Sequence, residues 1–361
     1  LQDSQKSLLP RIILLIGLLY LFLLSVGLLG NSLKLFGKGF AETLLTTTSN
    51  PVLGLFIGIL VTSVVQSSSM TTSLLVGMVG SGLISVENAI PIVMGANIGT
   101  TITNILVSLV HINRSAEFRR AFAASTVHDI FNILSVIIFL PIQIYTNFLG
   151  RLSDMLAEVF SDVGGMKLFN PLGTITKPVI HLLIDLFHQN AILLCIFAVL
   201  LLFASLHFMV KTLRSVFVAR LTGLFQRYIF KTTLRAFFVG LVLTVLVQSS
   251  SITTSLIVPL AGSGVLSLIQ IFPYTLGANL GTTATAILAS LATGNIHAVT
   301  IAFSHMFFNL CGIGVFLPLK KIPLTLARKL ANYSVRSKII PIAFVGIVFF
   351  LVPLVLLYLW R

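Results

Sequence analysis

Charge is what this sequence has least of. Only 9% of its 361 residues are Asp, Glu, Lys or Arg, against 57% hydrophobic ones, and the mean hydropathy is +1.07. That composition excludes an ordinary water-soluble domain and places the chain among polytopic membrane proteins. Cysteine is nearly missing as well: Cys195 and Cys311 stand singly in apolar stretches. A disulfide framework is thereby excluded, and both read as small core residues. The serine-rich segments lack a G-x-S-x-G elbow, so they offer no hydrolase signature. The net charge of +14 could suggest nucleic acid, but the basic residues fall in short connections between apolar stretches. That is the distribution that orients membrane proteins, and no nucleic-acid partner is expected.

What is there is long apolar runs. Residues 8–30, 121–141, 187–210, 298–318 and 339–360 are each apolar over the ~20 residues that a helical span needs. The opening stretch is too long for a signal peptide and precedes no cleavage-like site, so it reads as the first span. Two further apolar runs, 51–65 and 233–247, have 15 residues each. As helices they would reach about 22 Å, short of a hydrocarbon core of roughly 30 Å.

Both short runs lead into the same polar motif. Gln66-Ser67-Ser68-Ser69 recurs as Gln248-Ser249-Ser250-Ser251, and a shift of 182 positions aligns residues 66–103 with 248–285 at 21 identities in 38. Each motif is followed by a short apolar arm, 74–82 or 256–264, which predicts a re-entrant hairpin with a polar tip. Farther on, Gly95-Ala96-Asn97-Ile98-Gly99-Thr100-Thr101 and Gly277-Ala278-Asn279-Leu280-Gly281-Thr282-Thr283 interrupt a second pair of apolar segments. Paired glycines around an asparagine predict helices unwound midway, tolerated at such depth only inside protein or beside a wet cavity. The similarity then continues at an offset of 177, with His128, Asn132 and Pro141 matching His305, Asn309 and Pro318.

Counting crossings puts three between the halves, so the repeats are expected to be inverted. The fold expected is therefore an all-α polytopic membrane protein of two inverted-topology repeats, each with a re-entrant helical hairpin and a discontinuous transmembrane helix. Five segments follow: 1–47, the first span and outer connection; 48–141, the first repeat; 142–229, an outer loop, a span and a basic interfacial segment; 230–318, the second repeat; and 319–361, a connection and last span. With the N-terminus inside, 17 of the 23 Lys and Arg lie in cytoplasmic segments and 6 outside. The same count leaves the end at Trp360-Arg361 outside. The stretch 211–235 is basic and amphipathic, suited to the membrane surface and anionic lipid.

The tips carry the chemistry. Helix N-termini at the return arms present free N–H groups, hydroxyls and a positive dipole end, which favour an anion. Ser67, Ser68, Ser69, Thr71 and Thr72, with Ser249, Ser250, Ser251, Thr253 and Thr254, are the candidate substrate residues. Gln66, Asn97, Thr100, Thr101, Gln248, Ser249, Asn279, Thr282 and Thr285 offer neutral oxygens for a hard cation such as sodium. Neither motif contains Lys or Arg, so an anion held there would depend on co-bound cations, a physical route to coupling. A single serine-rich segment would more often serve helix packing; two matched copies favour a shared site. His128 and His305 read first as hydrogen-bonding core residues and second as proton-relay groups. Asp129, a carboxylate inside a span, is poised between a structural bond and coupling, and Glu87 fits a helix-dipole role.

The runs VVQSSSMTTSLLVGMVGSG, PIVMGANIGTTITN, SAEFRRAFAASTVHDIFNILSV, VQSSSITTSLIVPLAGSG and PYTLGANLGTTATAILASLA resemble signature runs of the type II sodium-dependent phosphate cotransporter family, over most of residues 48–141 and 230–318. The resemblance implies sodium-driven import of inorganic phosphate across the plasma membrane, sodium as coupling ion without other cofactor, no enzymatic activity, and a homodimer of independently working subunits. It also implies sodium ligation by Gln248, Ser249, Thr282 and Thr285, with Gln66 and Asn97 as first-repeat counterparts. Vertebrate members carry a long outer loop with a disulfide and glycosylation sites; here the loop is short and has neither Cys nor an N-x-S/T sequon, as in a compact bacterial member. Rival readings are a sodium-coupled carboxylate or sulfate transporter of similar architecture, an anion channel, and an intramembrane hydrolase using Ser69 or Ser251 with a histidine base.

Overall fold

The computed structural model describes residues 8–163, 165–225 and 229–359, and every regular element in them is helical. In chain order the first eight helices are α1 (Leu8–Lys34), α2 (Lys38–Thr47), α3 (Pro51–Val65), α4 (Ser68–Gly80), α5 (Val86–Gly99), α6 (Ile102–Leu109), α7 (Ser115–Thr146) and α8 (Phe148–Asp162). They are followed by α9 (Gly165–Leu186), α10 (Ala191–Phe225), α11 (Thr233–Val247), α12 (Ser250–Ser255), α13 (Ile257–Gly262) and α14 (Leu268–Gly281). The chain closes with α15 (Thr283–Thr293), α16 (Ile296–Phe316), α17 (Lys321–Arg336), α18 (Ile339–Val345) and α19 (Val352–Leu359), the last two joined by a π-helical turn. Among the described residues six helices are long and apolar enough to cross a membrane: 10–34, 86–109, 115–146, 191–212, 296–316 and 339–359. The run around residue 200 does not stop at the expected boundary; α10 continues unbroken through the basic stretch as far as Phe225.

The QSSS sequence makes a sharp reversal, and it makes it the same way twice. Gln66 ends α3 in the left-handed region (φ 56°), its N–H donating to Thr62 O at 2.7 Å; Ser67 then caps α4 by accepting from the Met70 N–H. Gln248 (φ 57°) and Ser249 repeat this between α11 and α12, with Thr244 O and the Ile252 N–H as partners. A left-handed terminator followed at once by an N-cap turns one helix back on the next. The reversal is measurable: Thr62 Oγ1 donates to Thr71 Oγ1 at 3.0 Å, whereas nine residues of straight helix would separate them by about 13 Å. Thr244 and Thr253 meet in the same way at 2.7 Å. The entering arms are capped by Asn50 and Thr232. In the second return arm Leu256 separates α12 from α13, and Pro259 lacks the N–H that would bond Ser255 and carry one helix through.

The glycine-rich segments differ from expectation. Helices α5 and α14 stay wound through Gly95–Gly99 and Gly277–Gly281, and the breaks fall later, at Thr100-Thr101 and at Thr282. The glycines serve close packing instead. A Cβ at Gly58 would land on the carbonyl of Ile92, one at Gly95 on that of Leu55; Gly240 and Gly277 stand in the same relation to Tyr274 and Phe237. Small residues let α3 lie directly on α5, and α11 on α14, backbone to backbone.

The core joins the repeats. Val76, Val79, Ile90, Met94 and Ile105 from the first half pack in one cluster with Ala286, Ala289, Ala298, Ile301 and Phe308 from the second. Helix α8 packs on α16 and α17 on α7, so the helix that follows each repeat is laid against the other repeat.

Replacing Gly240 by alanine is expected to push α11 from α14 and cost about 1–3 kcal/mol, as overpacking of a tight core does. Thermal unfolding of the detergent-solubilised protein measures it. Gly17→Ala, where no atom lies within 4 Å of the added methyl, is the control expected to unfold at or above the parent temperature.

Candidate functional site

The two reversals meet. Ser69 Oγ lies 3.4 Å from Gln248 O, and Ser251 Oγ lies 3.4 Å from Thr100 O. Thr285 ties the seam: its hydroxyl donates to Gln248 Oε1 at 2.6 Å and lies 3.4 Å from Ser69 Oγ. Asn104 and Thr254 exchange hydrogen bonds across the repeats at 2.8 and 3.1 Å. Ser68, Ser69, Thr71 and Thr72 are buried in one arm, and Ser250, Ser251, Thr253 and Thr254 in the other. Ser68, Ser69, Ser250 and Ser251 open the return helices, where the first N–H groups have no partner within the helix, whereas the Thr71 and Thr253 N–H groups donate to Ser67 O and Ser249 O. Most of the threonines also fold their hydroxyls back on their own helix, as Thr72 does to Ser68 O and Thr254 to Ser250 O. Back-bonding uses the hydroxyl proton and leaves the oxygen's lone pairs free to accept.

The two glutamines, alike in backbone, differ in side chain. Gln248 is 7% exposed and turned inward, bonded to Thr285 and by its amide nitrogen to Val245 O. Gln66 is exposed, and no hydrogen bond of its side chain is found among the described residues. The hydroxyl that would answer it, Thr103 (the equivalent of Thr285), is buried without a partner. The second repeat therefore presents an assembled glutamine–threonine oxygen pair and the first presents its parts separated.

A second polar layer lies beside the tips. Asn132 Nδ2 donates to Asn97 O at 2.8 Å, and Asn309 Nδ2 to Asn279 O at 3.3 Å. Asn279 Nδ2 bridges to Asn132 Oδ1 and Asn309 Oδ1, and His305 Nε2 lies 3.3 Å from Asn97 Oδ1. His128, the equivalent of His305, is buried, and neither of its ring nitrogens has a hydrogen-bond partner among the described residues. Asn97 and Asn279 thus tie the broken helices to α7 and α16. Thr100 and Thr282 bond back to Ala96 O and Ala278 O, while Thr101 donates to Asp129 Oδ1. Asp129 is fully buried, and its Oδ2 has no partner.

Several members of the cluster were not on the sequence-derived set. Asn132 and Asn309 carried a signal, being matched between the repeats; Thr62 and Thr244, which clasp the return arms, carried the same one. Asn104 carried none, because its equivalent is Ala286. Among the described residues no group of three or more His, Cys, Asp or Glu could hold a metal ion. What the cluster offers is neutral oxygen acceptors, hydroxyls and helix N-termini, a set suited to a hard monovalent cation beside an oxyanion.

Comparison with known proteins agrees with this chemistry. The family model described as Na+/Pi-cotransporter matches residues 21–167 and 200–321. The sodium-dependent phosphate transport protein 2B of Homo sapiens is 34% identical over 443 residues, covering 95% of this chain and 64% of that protein. The sodium-dependent phosphate transport protein 2A of Rattus norvegicus is 33% identical over 423 residues, covering 95% and 66%. The chain spans about two thirds of the length of these relatives, and no solved structure matches it. With most of its length matched by the family model, and both QSSS reversals inside the matched residues, this chain belongs to the Na+/Pi-cotransporter family.

Proposed function

We propose that this protein is a secondary active transporter that couples inward movement of sodium to uptake of inorganic phosphate by alternating access. The observation that carries the reading is the meeting of the two tips, where Ser69, Gln248 and Thr285 bring hydroxyls, an amide oxygen and a carbonyl from both repeats to one place. Phosphate is held by the tip residues Ser67–Ser69, Thr71, Thr72, Ser249–Ser251, Thr253 and Thr254. Sodium is held by Gln248, Ser249, Thr282 and Thr285 in the second repeat, and by Gln66, Asn97, Thr100 and Thr101, with Asn279 alongside, in the rest of the site. Because no Lys or Arg lies in either motif, the bound cations supply the counter-charge, and their departure weakens the hold on the anion. The names of the relatives support sodium and phosphate as the transported species.

The architecture in this reading is a pair of inverted repeats whose reversals are re-entrant hairpins entering from opposite faces. The protein sits in the plasma membrane with the N-terminus cytoplasmic, supported by the 17-to-6 division of Lys and Arg. Pairing into a homodimer belongs to the same reading and rests on the family resemblance.

Radiolabelled phosphate uptake into proteoliposomes is the direct test. Concentrative uptake is expected with an inward sodium gradient and not with potassium. No phosphate uptake by folded, inserted protein, with uptake of sulfate or a dicarboxylate in its place, would overturn the substrate. The asymmetry of the glutamines makes a sharper prediction. Gln248→Ala removes an acceptor already bonded within the site and is expected to raise the sodium concentration for half-maximal uptake by about ten-fold, the effect of losing a buried polar partner worth roughly 1.4 kcal/mol. Gln66→Ala is expected to raise it less. Topology is checked separately: in a background without Cys195 and Cys311, an impermeant thiol reagent should label Ser85→Cys from outside and Ser267→Cys from inside. Labelling of both from one face would exclude inversion.

A further inference from the structure

The repeats build the same cavity twice, once at the foot of each return arm, and line it with opposite charge. One cavity, of about 710 Å³, lies where α4 gives way to α5, at Ile84, Ser85 and Val86. The other, of about 420 Å³, lies where α13 gives way to α14, at Leu266, Ser267 and Leu268. These triplets are equivalent at the repeat offset of 182, and the walls opposite them are equivalent at 177: Ile296, His297 and Thr300 in the first, Arg119, Arg120 and Ala123 in the second. The first cavity is completed by Glu87, Asp154 and Glu158, the second by Arg328 and Asn332. Among the described residues no carboxylate lines the second.

The second cavity is organised for an anion by more than its arginines. It contains the start of the fourteen-residue helix α14, whose first turn holds no acid, whereas the equivalent helix α5 has Glu87 in its first turn. The positive dipole end that Glu87 answers with a charge in one repeat meets only the neutral capping box of Ser267 and Gln270 in the other, where Ile269 stands at the position equivalent to Glu87. Arg120 is held in place: its Nε donates to Gly262 O at 2.9 Å. Gly264, in the left-handed region (φ 81°), lies beside the guanidinium, where a Cβ would stand in ordinary contact, 3.6 Å from Arg120 Cζ. That bond uses Nε, and no hydrogen bond of either terminal nitrogen of Arg120, which lines the cavity, is found among the described residues. The ion pairs found among the described residues are Glu117 with His111 and with Arg114, so Arg119, Arg120 and Arg328 have no carboxylate partner there.

We propose that the cavity of Arg119, Arg120 and Arg328 is a second anion site, holding a phosphate-class oxyanion at the foot of the second return arm. Guanidinium forks match the geometry of such an ion, and three of them at a helix N-terminus favour a multiply charged oxyanion over chloride. The site is separate from the tips: the return arm from Ser250 to Gly262 would put about 18 Å between them if extended as helix. In the inverted arrangement proposed above, and only on that reading, it opens to the cytoplasm, at the exit of the transport path. The same chemistry would be satisfied by free phosphate or by the phosphate of an anionic lipid headgroup.

The test is binding of radiolabelled inorganic phosphate to the full chain in nanodiscs of neutral lipid, with sodium and with potassium as the only cation. The cavity predicts a sodium-independent component that weakens about ten-fold or more in Arg119→Gln/Arg328→Gln, since charge-assisted bonds are the strong ones. It is expected to survive in Arg119→Lys/Arg328→Lys and in Glu158→Gln, with unchanged thermal unfolding certifying each variant. In nanodiscs containing phosphatidate, loss of that component in the parent, together with tighter retention of phosphatidate by the parent than by the glutamine variant, identifies the lipid headgroup as occupant. Persistence of the component there identifies free phosphate. Sodium-independent binding that is equal in parent and glutamine variant, or no binding of either phosphate or phosphatidate through these arginines, overturns the site. Failure of the transport reading looks different: the sodium-dependent component is then missing while the sodium-independent one behaves as described.

Discussion

The structure depends on one constraint: polar groups buried in an apolar helical body must bond one another. A hydroxyl or amide without a partner in such surroundings costs several kcal/mol, so the polar motifs of this chain are costly unless brought together. Neither copy satisfies itself. Ser69 needs Gln248, Ser251 needs Thr100, Asn104 needs Thr254, and Asn279 needs Asn132. Each bond runs from one repeat to the other, so the fold of one half is completed only by the second. The tight reversals at Gln66 and Gln248 are the means: a left-handed residue and a serine cap turn each 15-residue arm back on itself and place the hydroxyls at the turn.

Much of this was legible beforehand, and for identifiable reasons. Runs such as 121–141 and 298–318 announce themselves because length and apolarity together leave few alternatives to a spanning helix. The QSSS reversals were legible because a 15-residue arm cannot cross and the motif recurs with its whole setting. The glycines misled. In isolation Gly95 and Gly277 read as helix breakers, the more so flanking an asparagine. Only with α3 and α11 in place is it visible that their missing side chains make room for a neighbour's carbonyl. The side chain of Gln66 was equally out of reach: its motif is identical to that of Gln248, and the difference between them lies in which partners the surrounding helices deliver.

Within the repeat plan the two halves have diverged in ways that share out the work. Ala286 replaces the asparagine that Asn104 contributes, Pro259 divides the second return arm where the first is continuous, and Ile269 replaces Glu87. Opposite charges at equivalent cavities follow the same pattern. Duplication explains why the skeleton is symmetric; the substitutions make matched places in the two halves chemically unlike each other.

The bond lengths at the tips carry a mechanical meaning. Contacts inside each reversal are short, with Thr244 to Thr253 at 2.7 Å and Gln248 N–H to Thr244 O at 2.7 Å. Those that reach out from the tips into the other repeat, Ser69 to Gln248 O and Ser251 to Thr100 O, are 3.4 Å, near the limit of a hydrogen bond, where the interaction is weak. Stiffness is thus distributed unevenly: each reversal is a firm clasp, while the seam between the repeats mixes those two long contacts with the short bond of Asn104 to Thr254 at 2.8 Å. Under load the two long contacts are the first to give, and each clasp keeps its own turn closed.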